Sequence, residues 1–344
     1  MGTTNIRQAE INPNHWYVVA RSHEVKTQPL GVKLWNQAIV LFRDSQGQIY
    51  ALENRCPHRH VKLSHGKMVD NSLECIYHGW QFQGNGVCVK VPYLAAHQKL
   101  PTCQLRSYPV KDVNGLIWLF PGQPNLATEI QPLTIPEWEH LNYIATVSTI
   151  HCHAHYSFLI ENLMDMYHGH LHQSWQAWTD AMLEEIKVNE TKIDAIYQAK
   201  SYYKIDKIWS ISQLFFPQFR KLRPEQLTVS YIYPHWYSTL GEYFTIYCLF
   251  CPISLTETKA YLIHFTSLNS FWRLHKLPIF FRQFVKNSLF GSAQKLLDGL
   301  VKQDIQMIEE EQQAYEQNPQ IKSHEFNPAI VKIQSFIHQQ TQMY

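Results

Sequence analysis

Two short pairs of metal-binding side chains, sixteen residues apart, constrain this chain more than any other feature of its sequence. The pairs are Cys56-x-His58, within "CPHRH", and Cys75-x2-His78, within "CIYHGW". Thiolates and imidazoles at such spacings can chelate one metal centre when two loops come together. The segments "AIVLFRD-SQGQ-IYAL" and "GWQF-QGNG-VCVKVP" predict β-hairpins, because strand-forming runs flank short turns. The N-terminal part is therefore predicted to be a small antiparallel β domain whose loops carry a metal site.

Two kinds of metal centre accept this set of two thiolates and two imidazoles. One is structural zinc, and the other is a [2Fe–2S] cluster with both cysteines on one iron and both histidines on the other. Zinc fingers tend to pair Cys with Cys and His with His, whereas each pair here contains one of each. The order therefore favours the iron–sulfur cluster, with zinc as the alternative.

A second histidine-rich stretch, "ENLMDMYHGHLHQ", is predicted to lie on a helix at about 156–173. At about 100° per residue, Asp165, His168 and His172 share one face of such a helix, and His170 lies on the far side. Two histidines at i and i+4 can clamp one metal. Two histidines with one carboxylate form the facial triad of non-heme iron(II) oxygenases. The stretch therefore predicts a mononuclear iron site.

The carboxylate of that triad is predicted to come from a long C-terminal helix at about 292–316. Asp304 falls inside the apolar stripe of this helix, whereas Asp298 and Glu310 fall off it and Glu309 lies at its edge or beyond. A carboxylate that faces a core is costly unless it is paired or bound to metal. Asp304 is therefore the predicted third ligand.

The motifs "PHR" and "YHGW", in a chain that runs from "NHWYVVARSHEV" to the C-terminal helix, resemble the catalytic α subunits of Rieske non-heme iron oxygenases. The resemblance implies an α+β fold. A Rieske antiparallel β domain would occupy residues 1–125, and a helix-grip (START-like) antiparallel sheet with a long terminal helix would occupy 126–344. The ligand sets implied are Cys56, His58, Cys75 and His78 for a Rieske [2Fe–2S] cluster, and His168, His172 and Asp304 for mononuclear Fe(II).

Two positions depart from the family pattern. His60 stands where members usually carry Gly, which puts the geometry of the cluster loop in question. The family's Asp-x2-His-x4-His motif is shortened, so that His172 arrives one residue early and Gln173 takes the expected position. His172 is the predicted second iron ligand. His170 or Gln173 as ligand, or a weakened or iron-free site, are the alternatives.

The resemblance also implies a role for Asp165. In this family the corresponding aspartate hydrogen-bonds an iron-ligating histidine and reaches a Rieske histidine of a neighbouring subunit, because the two metal centres of one subunit are too far apart for fast electron transfer. Carried over, Asp165 would link His168 to His78 of the next chain, in a head-to-tail ring that closes as a homotrimer. An ordinary helix carboxylate is the alternative.

The function implied is an oxygenase that uses O₂ to hydroxylate or oxidatively demethylate a hydrophobic, ring-containing substrate. The chain contains no GxGxxG or flavin motif, so its electrons would come from a separate ferredoxin or NAD(P)H-dependent reductase. The alternative is a Rieske electron carrier or sensor whose second domain binds an apolar ligand without catalytic iron. A formal charge of +2 does not favour nucleic acid as a partner. Aromatic residues on the predicted C-terminal strands suit an apolar pocket, and they are Tyr231, Tyr233, Trp236, Tyr243, Phe244, Tyr247 and Phe265.

A cytoplasmic location is expected, because the seven cysteines are scattered and "MGTTNIRQAE" has no apolar signal region. Peripheral membrane contact is a further prediction for residues 271–291, where apolar residues cover one arc and Arg282 and Lys286 lie opposite. A lid over the pocket or a subunit contact are the alternatives. This stretch also resembles the family branch that acts on chlorophyll-type pigments, although the C-terminal apolar tail usual in that branch does not appear in this sequence.

Overall fold

The computed structural model describes residues 5–343 apart from 96, 139, 170–171, 173–177, 203–211, 213–215, 242–243, 269–275 and 321–322. The chain divides into two compact units. Ile11–Leu133 form the first unit, and Thr134–Met343 form the second together with the segment that ends at Glu10. The boundary predicted after residue 125 stays a prediction, since compactness and function do not have to divide a chain at the same residue.

The described part of the first unit contains ten short strands in three antiparallel sheets, ordered β1-β10-β9, β2-β3-β4 and β5-β6-β7-β8. The strands are β1 (Tyr17–Arg21), β2 (Leu30–Leu34), β3 (Gln37–Arg43), β4 (Ile49–Glu53), β5 (Lys67–Val69), β6 (Ser72–Glu74), β7 (Gln81–Phe82), β8 (Cys88–Lys90), β9 (Val110–Val113) and β10 (Leu116–Leu119). Both predicted hairpins are confirmed as the pairs β3–β4 and β7–β8. A short helix, α1 (Leu126–Glu129), follows the last strand.

Two-residue turns close three of these hairpins. The turns are Trp35–Asn36, Asp70–Asn71 and Asn114–Gly115, and all six residues have positive φ. Positive φ at both turn residues matches the right-handed twist of the flanking strands, which is why Asn and Gly favour such turns. Local turn chemistry therefore sets the register of the first unit.

One antiparallel sheet of seven strands forms the described core of the second unit, in the order β11-β17-β16-β15-β14-β13-β12. Its strands are β11 (Tyr143–Cys152), β12 (Trp178–Val188), β13 (Lys192–Ser201), β14 (Arg223–Ile232), β15 (His235–Leu240), β16 (Phe244–Ser254) and β17 (Glu257–Ser267). The alternation of "LTVSYIYPHWY" (residues 227–237) predicts one strand. This prediction is wrong, because β14 and β15 are separate strands joined by a turn at Tyr233–Pro234. Proline has no N–H for a strand ladder, so the chain turns there. Strands β12 and β13 were not predicted.

In the described part of this unit three helices accompany the sheet: α2 (Tyr156–Met164), α3 (Ile279–Gln317) and α4 (Pro328–Thr341). Helix α3 packs against β11, and α2 contacts both α3 and α4. The predicted C-terminal helix at 292–316 lies within α3, but the expectation that it closes the chain is wrong because α4 follows it. Asn327 caps α4 and Pro328 begins it, an arrangement that favours a helix start. Among the helices described, none has the length and apolarity that a membrane crossing requires.

Candidate active site and metal centres

The two cysteine–histidine loops of the first unit share one backbone arrangement. The Cys56 carbonyl accepts a hydrogen bond from the His60 amide (2.8 Å), and the Cys75 carbonyl accepts one from the Gly79 amide (3.0 Å). Each cysteine amide in turn donates to the carbonyl five residues further on (2.9 and 2.8 Å). His60 and Gly79 both have left-handed backbone, with φ of 58° and 68°. The position where the family usually has Gly therefore requires this conformation, and His60 adopts it.

The four predicted cluster ligands come together at the ends of these loops. The thiols of Cys56 and Cys75 are buried, with 1% and 2% of each residue exposed, and they lie inside the hydrophobic cluster of the unit. Burial raises the pKa of the Cys56 thiol to about 11. The rings of His58 and His78 are 4.4 Å apart.

The donor set and its burial fit an iron–sulfur cluster. His58 Nδ1 is buried and has no hydrogen-bond partner among the described residues. A buried ring nitrogen without a partner is uncommon unless it binds something else, such as a metal. Two thiols and two imidazoles on adjacent loops are also the donors that a Rieske cluster takes.

Aromatic side chains surround the two histidines. The Trp80 ring stacks on His58 at 5.0 Å, with an interplanar angle of 8°, and its Nε1 donates to the Tyr93 hydroxyl (2.6 Å). The Tyr77 ring lies 3.9 Å from His78. Tyr77 and Tyr93 are exposed, at 61% and 59%. The two histidines therefore lie next to an exposed surface that contains Tyr77 and Tyr93.

His168, His172 and Asp304 converge in the second unit. Nε2 of His168 is 3.7 Å from Asp304 Oδ1, and Nε2 of His172 is 3.4 Å from the same oxygen. One donor atom from each of the three residues lies within 4.8 Å of the others. Asp304 Oδ1 is buried and has no hydrogen-bond partner among the described residues. Two imidazole nitrogens and one carboxylate oxygen in this arrangement fit a facial non-heme iron site.

The two histidines are brought together by a turn and not by one helical face. Helix α2 ends at Met164, so the prediction of a continuous helix over 156–173 is wrong. The Asp165 carboxylate accepts a hydrogen bond from the Tyr167 amide (2.9 Å), and such a side-chain bond competes with helix formation. The His168 and His172 rings nevertheless lie 5.5 Å apart, with a 3₁₀ turn at 167–169. The alternative ligands His170 and Gln173 lie outside the described residues.

Gln303 fixes the orientation of the His172 ring. Its Oε1 lies 3.1 Å from His172 Nδ1, and an amide oxygen can only accept, so Nδ1 carries the proton. In the neutral tautomer with this proton, Nε2 is the nitrogen free to bind a metal, and it is the one that faces Asp304. A ligand histidine whose other nitrogen is held in this way is typical of metal sites.

The charges of this cluster are tuned by burial. Burial raises the pKa of Asp304, while the two imidazoles and a hydrogen bond from the Asn162 side chain act in the opposite direction. Burial lowers the pKa of His168, although the Asp304 carboxylate raises it. A divalent metal binds a neutral imidazole and an ionised carboxylate, so metal binding would oppose the raised pKa of Asp304.

Comparison with known proteins identifies the family. Residues 15–109 match the family described as the Rieske [2Fe-2S] domain. The chain is 30% identical over 344 residues to the 4beta-methylsterol monooxygenase of Methylococcus capsulatus, an alignment that covers 96% of this chain and 88% of that protein. This chain belongs to the Rieske non-heme iron oxygenases.

One further relative agrees with this membership, and one solved structure agrees with the fold. The oxygenase component of dicamba O-demethylase from Stenotrophomonas maltophilia is 34% identical over 189 residues, which is 53% of this chain and 55% of that one. The crystal structure of dicamba monooxygenase bound to dicamba has a TM-score of 0.75 at 22% identity and covers 99% of both chains. The predicted α+β fold is confirmed. As a Rieske oxygenase the chain is an enzyme with a Rieske [2Fe–2S] cluster and a mononuclear iron, and the electron-carrier alternative is not supported.

An apolar cavity of about 130 Å³ adjoins the two histidines and Asp304 of this Rieske oxygenase. Its walls come from α2, from α3 and from one face of the sheet. Two aromatic residues predicted to line the pocket, Trp236 and Phe244, do line it. Tyr231, Tyr233, Tyr247 and Phe265 are instead buried outside the lining, and Tyr243 lies outside the described residues.

Three residues that bond to the candidate iron ligands or to Asp165 were not predicted from the sequence. Asn162 bonds Asp304, Gln303 bonds His172, and Asn327 donates from its Nδ2 to Asp165 Oδ1 over 2.8 Å. The sequence carries a signal for Gln303, which directly precedes the predicted ligand, and for Asn162, which lies three residues before Asp165. Asn327 gives no such signal, because it is 162 residues away from its partner.

Proposed function

We propose that Cys56, His58, Cys75 and His78 hold the Rieske cluster and that His168, His172 and Asp304 hold the mononuclear iron. On this basis the protein inserts one oxygen atom of O₂ into a hydrophobic ring compound, either at a ring or side-chain carbon or at a methyl group that is then lost. The balance is one O₂, two electrons and two protons consumed for each C–H bond converted to C–OH, with the second oxygen atom leaving as water.

The observation that carries this proposal is the position of the two histidines and Asp304 in the wall of an apolar cavity. When bound, the cluster supplies electrons one at a time and the ferrous ion activates O₂. Gln303 holds His172 in the tautomer whose Nε2 faces Asp304. The cavity walls, which include Leu297 and Val301, exclude water around a bound substrate.

Asp165 is proposed to orient His168 and to contact His78 of a neighbouring copy in a homotrimeric ring. Among the described residues the Asp165 carboxylate accepts hydrogen bonds from Tyr167 and Asn327 and none from His168, whose Nδ1 is buried without a partner, so the expected direct bond is not present. The support for the first part is electrostatic: the Asp165 charge opposes the lowering of the His168 pKa that burial causes. An Asp165→Asn variant is expected to keep its iron but to lose most of its turnover. Sedimentation of the native protein tests the ring, and a monomer at micromolar concentration would contradict it.

An external electron donor is implied by the family, because its members named here include an oxygenase component, and we propose a ferredoxin or an NAD(P)H-dependent reductase. The relatives are named for a methylsterol and for dicamba, and both names support a ring-containing substrate for this chain. The small size and the apolar walls of the cavity agree with a single ring held next to the iron ligands.

Peripheral membrane contact at the beginning of α3 is proposed as a second property. Ile279, Phe280, Phe281 and Phe284 are exposed there, between 54% and 76%. Phe280→Ser combined with Phe284→Ser is expected to abolish co-sedimentation with phosphatidylcholine–phosphatidylglycerol vesicles. Phe326→Ser, which removes a phenylalanine that is 87% exposed elsewhere, serves as the control. Equal binding by the double variant would contradict the proposal.

The test of the oxygenase function is incorporation of ¹⁸O₂. The purified protein, a ferredoxin–reductase pair and NADH are incubated with a panel of neutral ring compounds, and products are analysed by mass spectrometry. We expect one ¹⁸O atom in the alcohol product, whereas formaldehyde released from a methyl ether is measured by its amount, because its oxygen exchanges with water. The Asp304→Ala variant should give none and Asp298→Ala should remain active. Product that carries only solvent oxygen would contradict the proposal.

A further inference from the structure

The sheet side of the cavity contains polar side chains that are not part of the proposed metal site. The iron ligands come from the segment after α2 and from α3, whereas Trp236, Ser238 and His264 come from β15 and β17. Ser238 pairs with Ile246 of β16, and Ile246 pairs with His264, so these residues lie side by side across three strands. Trp236 lies two residues from Ser238 on the same strand face. We call these three residues, Trp236, Ser238 and His264, the sheet floor of the cavity. Outside the metal site, it is the only part of the described lining where several hydrogen-bonding side chains are neighbours.

Two indole N–H groups of the described lining, those of Trp178 and Trp236, are buried without a hydrogen-bond partner, and Trp236 is the one that adjoins Ser238. It is 3% exposed, and its Nε1 is buried with no hydrogen-bond partner among the described residues. An indole N–H can only donate, and leaving a buried donor unpaired costs on the order of 1–3 kcal/mol. A ligand oxygen in the cavity would remove this penalty. A purely hydrocarbon ligand would not.

The sheet floor offers donors but no positive charge. Burial lowers the pKa of His264 to about 4, so its ring is neutral at physiological pH. The His264 ring stacks on Phe244 (5.1 Å, 21°), which holds it in place within an apolar wall. The described lining contains no Lys or Arg. A buried carboxylate or sulfonate would therefore lack the charged partner that makes burial of an anion tolerable.

We propose that this pocket selects uncharged ring compounds that carry one hydroxyl or carbonyl oxygen, with Trp236 Nε1 as the donor to that oxygen and Ser238 and His264 beside it. The oxygen lies on the sheet floor and the carbon to be oxidised points to the opposite wall, towards His168, His172 and Asp304. Acids of the same size and shape are rejected. The inference rests on the proposed function, since it names the substrate class of that site.

The cavity volume sets the size of the probe. About 130 Å³ is close to the roughly 150 Å³ of an engineered apolar cavity that admits benzene. Three probes share a methylated ring and differ only at the para position: p-cresol carries a hydroxyl, 4-methylbenzoate carries a carboxylate, and toluene carries no oxygen. At pH 7 p-cresol is neutral and 4-methylbenzoate is an anion.

The experiment is calorimetric titration of the iron-loaded protein, under nitrogen and without reductant, so that binding is measured without turnover. We expect p-cresol to bind about 10-fold tighter than toluene and at least 10-fold tighter than 4-methylbenzoate, as one hydrogen bond of about 1.4 kcal/mol would give. Trp236→Phe should reduce p-cresol binding to the toluene level while leaving toluene binding within about twofold. Ser238→Ala should weaken p-cresol binding by a smaller factor.

Three outcomes would overturn the inference: equal binding of p-cresol and toluene, tighter binding of 4-methylbenzoate than of p-cresol, or a Trp236→Phe protein that keeps the full preference for the hydroxyl. Because no oxygen is consumed, the result is independent of the ¹⁸O₂ experiment. A protein that shows the binding preference but inserts no oxygen would refute the proposed function and leave the selectivity of the pocket in place.

Discussion

Asn327 donates a hydrogen bond from its Nδ2 to Asp165 Oδ1 over 2.8 Å, while its own Oδ1 accepts from the Ala329 amide (3.0 Å). The residue that caps the last helix is therefore also bonded to the residue that ends α2. Asn327 Nδ2 further reaches the Tyr197 hydroxyl (3.2 Å), and that hydroxyl donates to the Met164 carbonyl (2.9 Å). The end of α2 and the start of α4 are thus held in one buried network next to the iron site.

The Asn327→Asp variant separates the two roles of this residue. Aspartate is as good a helix cap, but it cannot donate to Asp165 and it places a second carboxylate beside it. We expect a loss of about 2 kcal/mol of unfolding free energy at pH 7. Because like charges raise the folded-state pKa of the pair, this loss should be present at neutral pH and should shrink as the pH falls towards 5. Urea unfolding at both pH values measures it. Asn327→Ser, which keeps a cap without a charge, should show no such pH dependence.

Gln303 is predicted to set the affinity of the iron site through His172. Gln303→Leu removes the acceptor of the Nδ1 proton, so both the ring orientation and the tautomer become free to change. We expect iron affinity to fall about 10- to 100-fold. Competition with a ferrous chelator measures this change. Gln306→Leu on the same helix removes only a bond to Glu310 and should leave the affinity unchanged.

His60 is predicted to cost stability at its present position. Its φ of 58° lies in the left-handed region, where a side chain with a Cβ is disfavoured by about 1 kcal/mol relative to Gly. His60→Gly should therefore raise the thermal midpoint of the cluster-loaded protein, by an amount that corresponds to about 1 kcal/mol. Arg59→Gly, at a neighbouring residue without positive φ, should lower the midpoint. A lower midpoint for His60→Gly would show that its ring makes a contact worth more than the strain.

Arg7 ties the N-terminal segment to α2 through a buried ion pair. Its two guanidinium nitrogens bind both carboxylate oxygens of Glu161 at 2.7 Å. Arg7→Met leaves Glu161 buried and unpaired, which is expected to cost about 3–5 kcal/mol at pH 7. Burial already raises the pKa of Glu161, and without Arg7 it rises further. The cost should therefore be present above that pKa and should diminish as the pH falls, since protonation removes the unpaired charge. Chemical denaturation across pH 4–8 measures it, and Glu161→Gln in the same chain should restore most of the loss.

The metal donors can be predicted from the sequence because their chemistry is local, and their assignment stays a prediction. Cys56, His58, Cys75 and His78 lie in two short motifs, and turn residues fix the hairpins around them. Asp304 is the predicted third ligand because a carboxylate within an apolar stripe is costly unless it is paired or bound to metal, and the structure places it beside His168 and His172. The same local reasoning failed for the backbone at Asp165, where the side chain takes the Tyr167 amide and ends the helix. Whether His168 and His172 bind the iron stays a prediction, although the turn brings their rings together.

Contacts between distant parts of the chain could not be predicted from one sequence. Pro234 indicates the break between β14 and β15, because proline interrupts a strand. Asn327 and Pro328 likewise indicate the start of α4. Both errors arose because the hydrophobic patterns were given more weight than these residues. The pairing of Asn327 with Asp165 and the lining of the cavity depend on which distant segments pack together. No local sequence signal specifies this packing. Alternation along a strand tells which residues share a face but not which face meets the cavity.

Iron content tests the central claim most directly. Wild-type protein should contain about three iron atoms per chain, two in the cluster and one mononuclear, with a Rieske electron paramagnetic resonance signal after reduction. Asp304→Ala should contain about two and keep that signal, whereas Asp298→Ala, whose carboxylate binds Ser148, should keep all three. An Asp304→Ala protein with three irons per chain would contradict the account.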